Sequence, residues 1–491
     1  MKMAAALLLA LPAISLAQQV AFGDYTLASS IAFAYSNEIV TGPDGALWFT
    51  YGLTIGRITP AGAITSYALP DYASLPTSIT VGPDGALWMT LQGSNYVDWI
   101  GRMSTSGSVT VYQIPTTDCL PTGIAAGPDG ALWFTEEVNK IGRITTAGAI
   151  AEYPVPTVGA DPESIVAGPD GALWFTELLG NRIGRITTSG TITEYPVPTS
   201  AAGPWGITAG PDGALWFTEI SGSNIGRITT AGIVTEYPVA SNSRPLSIAT
   251  GPDGALWFTE TNPSAIGRIT TAGAVTAYDP GIGTTSITAG PGGELWFTDA
   301  FYGPDSSLIG EMVFVTANLT VDPPRGHYRS NLTFSGSGFA PSERVRIYTS
   351  GVGSAVLASA VADAGGSFTV AGAAPQSKNG ARIFLGVGQS SGKLGAANFS
   401  MTPHLVLHPD TGPVGTTVTV DGYGFDAFES LKILWKDPQT VLGTASADIY
   451  GTVDGSAALT FTVPAGAVAG ANEVIGKSLD GVTGRATFTV Q

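Results

Sequence analysis

The sequence predicts an all-β fold: a seven-bladed β-propeller closed by an N-terminal strand, followed by two small β-sandwich domains. Three observations predict it. A nine-residue motif recurs seven times at a nearly constant period, each copy carries four strand-like pieces, and a second kind of unit occurs twice after the first repeat stops.

The motif Gly-Pro-Asp-Gly-Ala-Leu-Trp-Phe-Thr, or a close variant, begins at Gly42, Gly82, Gly127, Gly168, Gly210, Gly251 and Gly290. The intervals run from 39 to 45 residues, the length of a four-stranded propeller blade. The first strand ends before the Gly-Pro-Asp-Gly turn and the second is Leu-Trp-Phe-Thr. The third is Ile-Gly-Arg-Ile-Thr, as at Ile141–Thr145, and the fourth is Ile-Thr-Glu-Tyr-Pro, as at Ile192–Pro196. Turn residues separate pieces rich in β-branched and aromatic side chains. The tryptophans, Trp48 to Trp296, are expected between blades as core. The turn aspartates are expected as turn formers. Arg57, Arg102, Arg143, Arg185, Arg227 and Arg268 recur once per blade, suiting a structural pairing with the glutamates or, alternatively, a substrate-binding ring.

The fourth-strand tyrosine recurs at Tyr67, Tyr112, Tyr153, Tyr195, Tyr237 and Tyr278, which serves six blades. An equivalent, Asp24-Tyr25-Thr26-Leu27, precedes the first blade, so the N-terminal strand is expected to complete the seventh. The spacing from first-strand isoleucine to tryptophan, and from third-strand isoleucine to tyrosine, never changes. By contrast, tryptophan to the third strand varies from Trp48–Ile55 to the longer Trp296–Ile309, and tyrosine to the next first strand varies as well. The variable loops share one face, and that face is the expected binding face.

From about residue 316 two copies of another unit follow. Pro323 matches Pro409, Ser335–Phe339 matches Asp421–Phe425, Glu343 matches Glu429, and Ile347 matches Ile433. Alternating stretches such as Thr417–Val420 fit antiparallel sandwiches. The predicted organisation is 1–17 signal peptide, 18–315 propeller, and sandwiches at 316–402 and 403–491, with a cleavable boundary near Val315–Val321.

Charged residues make up 12% of the chain, and the net charge is −17, which disfavours nucleic acid as a partner. Lys2, the apolar run Met3–Leu11 and Ser15-Leu16-Ala17 read as a secretory signal too short to span a bilayer. A secreted protein, periplasmic or extracellular, without membrane insertion is expected. Cys119 is the single cysteine, so no intramolecular disulfide forms.

The propeller repeat resembles the streptogramin (virginiamycin B) lyase family over roughly residues 20–314, and the C-terminal units resemble Ig-like modules of the IPT/TIG kind. The lyase resemblance implies elimination that opens a cyclic depsipeptide, with a histidine base and a magnesium ion held by glutamates on the variable face. Its histidine positions match Asn37, Thr77, Thr122, Glu163, Trp205, Leu246 and Thr285, none of them histidine. His327, His404 and His408 all lie beyond the propeller. A positioned base is worth roughly 10²–10⁴ in rate, so no catalytic residue is assigned. The acidic position persists as Glu136, Glu177, Glu219, Glu260 and Asp299, while Tyr51 and Leu91 break it.

Trp205, Glu163, Leu246, Thr285 and Tyr51 are therefore the candidate ligand-binding residues, and Glu177, Glu219, Glu260 and Asp299 the candidate metal ligands. Trp205 reads as a stacking platform or as a packed plug of the channel. Asp161, Glu163 and Glu177 could gather oxygens for Mg²⁺ or Ca²⁺, or stand as solvated surface acids. The leading expectation is a recognition protein for a small-molecule, glycan or peptide ligand. The alternatives are a streptogramin lyase with an unfamiliar base and a metal-dependent lactonase or hydrolase.

Overall fold

Leu-Trp-Phe-Thr, with Met89 for phenylalanine in the second repeat, is buried on both faces in every repeat, as a strand must be when sheets stack on either side of it. In the computed structural model this run is the second strand of a four-stranded antiparallel sheet, and the described residues contain seven such sheets. The structure describes residues 20–26, 38–60, 62–71, 75–299, 308–349, 356–375, 380–391, 393–425, 430–436, 440–447, 452–453, 458–478 and 483–491. The proposed signal segment, Leu27, Asn37 and Glu429 lie outside them.

Sheets one to six span residues 39–68, 75–113, 121–154, 162–196, 204–238 and 245–278. Sheet seven comprises Ile287–Ala289, Leu295–Thr298, Leu308–Phe314 and, as its outer strand, Val20–Thr26. That strand runs antiparallel to Leu308–Phe314, from Val20 opposite Phe314 to Thr26 opposite Leu308. First strands of successive sheets are neighbours, and the first strand of sheet seven touches that of sheet one. The arrangement is all-β and propeller-like. One three-residue 3-10 turn, Ser94–Tyr96, interrupts it among the described residues.

Each tryptophan packs against the following sheet: Trp133, for example, shares a cluster with Leu173, Phe175 and Ile186 of sheet four. Its indole N–H donates to the turn aspartate four residues earlier, at 2.9–3.1 Å in sheets one to six. In sheet seven Glu294 takes that place at 2.9 Å. The arginine Nε donates to the second oxygen of the same aspartate at 2.7 Å, with the guanidinium over the indole. This corrects the pairing expected from the sequence. Register sets arginine opposite tryptophan, as Arg143 opposite Trp133, so the turn carboxylate is within reach and the strand-end glutamate is not. The tyrosine then stacks on the indole, at 5.3 Å for Trp48 and Tyr67. Glycine is required in the third strand because the second-strand phenylalanine lies across it: a Cβ on Gly142 would stand 2.0 Å from Phe134 Cζ.

Two further units follow, each with its own apolar core. The first, residues 317–401, is centred on Phe334, Phe384 and Phe399. The second, residues 404–490, is built from a three- and a five-stranded sheet around Trp435, Phe461 and Phe488. Only residues 315 and 316 separate the last strand of sheet seven from Ala317–Asp322, which pairs with Asn331–Ser337. Val313 packs on Ile383 and Leu385. Most of the stretch expected to be cleavable is thus strand backbone already paired.

Candidate ligand-binding site

The site is built by the last residue of Leu-Trp-Phe-Thr. That threonine is fully buried, and its hydroxyl works in two directions. Within its own sheet it accepts from a first-strand N–H: Gly123 to Thr135 at 2.7 Å, Ser164 to Thr176 at 3.1 Å, Gly206 to Thr218 at 2.9 Å and Ser247 to Thr259 at 3.0 Å. Toward the next sheet it donates to a carbonyl: Thr90 to Thr122, Thr135 to Glu163, Thr176 to Trp205, Thr218 to Leu246 and Thr259 to Thr285, at 2.6–2.9 Å. Register shifts at Pro121/Ile124, Pro162/Ile165, Pro204/Ile207 and Pro245/Ile248 free these backbone groups from the ladder. The result is a belt of hydroxyls that fixes Thr122, Glu163, Trp205, Leu246 and Thr285 around one opening.

Replacing Thr218 by valine keeps the shape and leaves a buried N–H and C=O unpaired. Thr218→Val is expected to lower stability by about 1–3 kcal/mol, and Thr218→Ser to retain most of it, as read from denaturant melts.

The opening is a cavity of about 370 Å³, bordered by Thr77, Thr122, Glu163, Trp205, Leu246 and Thr285. Glu38, Gln92 and Glu137 complete the polar rim, with small residues such as Ser164 and Gly206 behind them, and among the described residues no Lys, Arg or His lines it. Both kinds of variable loop border it. Thus four of the five ligand-binding candidates, Glu163, Trp205, Leu246 and Thr285, come together. Tyr51 does not: it is buried at the end of a second strand, opposite Thr54.

The acidic groups divide into two sets. Glu137 and Asp161 approach Glu163, one carboxylate oxygen of each lying within 4.8 Å of the others. Glu163 is 9% exposed. Burial, and then the charges of Asp161 and Glu137, push its pKa up to about 8. Burial also raises Asp161 and Glu137. Glu38 is pushed up to about 7 by burial, tempered by hydrogen bonds from Ser78 and the Ile79 N–H. Glu137 and Glu38 were missed in the sequence. The signal for Glu137 was there: in Glu136-Glu137 a second acid stands where the corresponding repeats carry Leu178, Ile220 and Thr261.

The strand-end set is elsewhere. Glu177, Glu219, Glu260 and Asp299 are each buried within their own sheets and are not brought together. Both carboxylate oxygens of Glu177 lack a hydrogen-bond partner. Burial, then Glu194 beside it, raises its pKa to about 8. Glu219 accepts from Asn224 Nδ2 at 2.8 Å and is raised to about 7, mainly by burial. Burial raises Glu260 too. Glu136 resembles Glu177 and reaches about 8. With values near 8, Glu136 and Glu177 are mostly protonated at pH 7. Asp161 and Glu163 thus meet Glu137 rather than the Glu177 expected from the sequence.

The repeats match the virginiamycin B lyase family over residues 20–243 and 239–304. The chain belongs to that family. Among solved structures it is similar to a catalytically inactive histidine-to-alanine variant of virginiamycin B lyase from Staphylococcus aureus with quinupristin. The identity is 38% and the TM-score 0.55, covering 60% of this chain and all (100%) of that one. A streptogramin B lyase structure matches at 38% identity and TM-score 0.55, covering 60% of this chain and 98% of that one. A curated virginiamycin B lyase from Bordetella parapertussis is 48% identical over 44 residues, 9% of this chain; the match spans only 15% of that relative's length. Within the virginiamycin B lyase family, then, this member presents a ring of Thr, Glu, Trp and Leu at the cavity.

Proposed function

We propose that this protein is a secreted recognition member of the virginiamycin B lyase family that holds a small ligand in the cavity and does not open depsipeptides. In this reading residues 1–17 are a signal peptide, the seven sheets are the blades of a seven-bladed β-propeller, and residues 316–402 and 403–491 are Ig-like spacer modules. The observation that carries it is the identity of the rim. Thr77, Thr122, Glu163, Trp205, Leu246 and Thr285 border one cavity and match the family's histidine positions, yet the chain has no histidine before His327. Trp205 offers the broad stacking surface in a cavity lined mostly by hydroxyls and acids, which suits a sugar or a flat organic ligand.

The test is a streptogramin B antibiotic incubated with the purified protein and Mg²⁺ and followed by chromatography. The antibiotic is expected to stay cyclic, while a screen of glycans, peptides and small molecules yields a ligand whose binding Trp205→Ala removes. A second reading, a carboxylate-based lyase, has one observation in its favour. Glu163 ionises near pH 8 and sits at one of the matched positions, so it would act as a base in alkaline solution. Complete turnover that rises through pH 8 and is abolished by Glu163→Gln would establish it and sink the recognition reading.

A further inference from the structure

We propose that the variable face carries a second ligand subsite, between sheets two and three, where Tyr96 stacks on one ring of a neutral oligosaccharide. The same saccharide chain continues into the Trp205 cavity. The inference therefore rests on the recognition reading, and it gives the ligand a class and a length.

The subsite begins as an insertion. From Trp88 to Ile100 the chain is three to four residues longer than the same stretch in sheets three to six. Insertions in repeat proteins fall on the face that carries the loops, which is often the binding face. The added residues lie between the strands Leu87–Gln92 and Trp99–Met103. With Leu75 of sheet two, and with Asp118 and Leu120 just ahead of sheet three, they border a cavity of about 500 Å³. Gln92 lines both this cavity and the one that holds Trp205, so the two hollows meet at one side chain.

The second hollow is held in advance. Asp98 is buried, and its carboxylate accepts from the N–H groups of Gly93 at 3.1 Å, Cys119 at 2.8 Å and Leu120 at 3.1 Å. Tyr96 O accepts from Asp118 N at 2.9 Å, a second tie between the same two loops. One buried acid thus fixes both walls, and a ligand that enters orders little further chain.

Tyr96 is the residue that points to a ligand. At 70% exposure it is the one exposed aromatic residue among the described residues, and it stands at the lip of the cavity. Its backbone lies in the left-handed region, at φ 61°. That conformation is costly for a bulky side chain and recurs at ligand clamps. Glycine would make the same turn without strain, so what tyrosine adds here is its ring. An aromatic face suits the C–H face of a sugar. The Gln92 and Asn95 amides and the Asp118 carboxylate supply the donors and acceptors that neighbouring hydroxyls require. Charge narrows the class. Among the described residues no Lys, Arg or His lines either hollow, while Asp118 borders one and Glu137 and Glu163 the other. A sugar acid would bring a carboxylate among carboxylates, so the fitting saccharide is uncharged.

The test is a panel of neutral and acidic oligosaccharides of increasing length, followed by calorimetry of the full chain with the best neutral series. Oligomers that reach both hollows are expected to bind at least tenfold more tightly than single sugars, because the second ring binds within the same molecule. Tyr96→Gly suits the left-handed backbone and should keep the melting temperature. It should weaken the long oligomers at least tenfold, leave the short ones unchanged, and be rescued by Tyr96→Phe. Asp118 also has a positive φ, which asparagine tolerates, so Asp118→Asn should admit acidic glycans without weakening neutral ones. Affinity independent of length, long oligomers that bind Tyr96→Gly as well as the natural chain, or a preference for acidic glycans or for peptides would overturn the subsite. Binding that needs Trp205 but not Tyr96 sinks this inference and leaves the recognition reading standing. If no glycan binds, the subsite falls, and a ligand of another class removed by Trp205→Ala would still uphold that reading.

Discussion

A chain shortened to begin at Ile31 is expected to melt at least 10 °C below the full chain and to aggregate on heating. Val20–Thr26 supplies the outer strand of sheet seven through seven consecutive register pairs. Each backbone hydrogen bond contributes about 0.5–1.5 kcal/mol net, so removing the strand costs several kcal/mol. It also turns Leu308–Phe314 into an exposed edge, and Val20 leaves the cluster formed by Trp257, Leu295, Phe297 and Met312. The effect should extend beyond the ring, because the same N-terminal strand touches Gly380–Gly388 of the following unit. A deletion that leaves the melting temperature unchanged would mean that the terminal strand is an ornament on a ring stabilised elsewhere. Adding a peptide of residues 20–27 should restore part of the lost stability.

The same strand shows what the sequence makes legible. A tyrosine-bearing segment missing at one end of a repeat array and present at the other has few places to go, and Tyr25 does pair with Ile309. Strand order, the buried tryptophans and the acid-rich variable face follow from periodicity in the same way. Contacts that depend on register do not. Arg143 and Glu136 both recur once per repeat, and only the register across the second and third strands decides that Arg143 meets Asp129 and the indole, while Glu136 lies opposite Lys140. The threonine belt was hidden for the same reason. In the sequence Thr135 reads as one more β-branched strand residue, and its function appears only once a bulge turns the Glu163 carbonyl toward it. In the candidate site, Glu163 and Trp205 could be singled out because they depart from the repeat. Glu137 escaped because it follows an acid that recurs, and Tyr51 was placed at the rim although its strand carries it inward.

Stability is expected to be greatest near pH 4.5 and to fall from there to about pH 8, with a Tm at least 8 °C lower at pH 8.5 than at pH 5.5 in the presence of chelator. The sign follows from two opposed sets of carboxylates. Glu136 and Glu177, both 0% exposed, are raised from about 4.5 to about 8, and Glu219 to about 7. Between the ordinary and the raised values the folded chain keeps protons that the unfolded chain has released. Their contribution is therefore complete below about pH 4.5 and is lost as pH rises through 7 to 8. Each such group changes stability by about 1.4 kcal/mol per pH unit across its window. The turn aspartates act the other way. Asp129, Asp170 and Asp212 are raised by burial but lowered further by their indole and guanidinium hydrogen bonds, so they stand below the usual value. Their contribution is present above about pH 4 and disappears on acidification, which sets the acid limb of the profile. Glu177→Gln separates the two sets. The amide imitates the protonated acid, so this variant should match the natural chain near pH 4, exceed it modestly at pH 5.5 and by much more at pH 8.5, and leave the acid limb unmoved. A profile that peaks at pH 8, or a Glu177→Gln variant equally destabilised at both pH values, would show that the strand-end acids are ionised within their sheets and held by partners other than a proton.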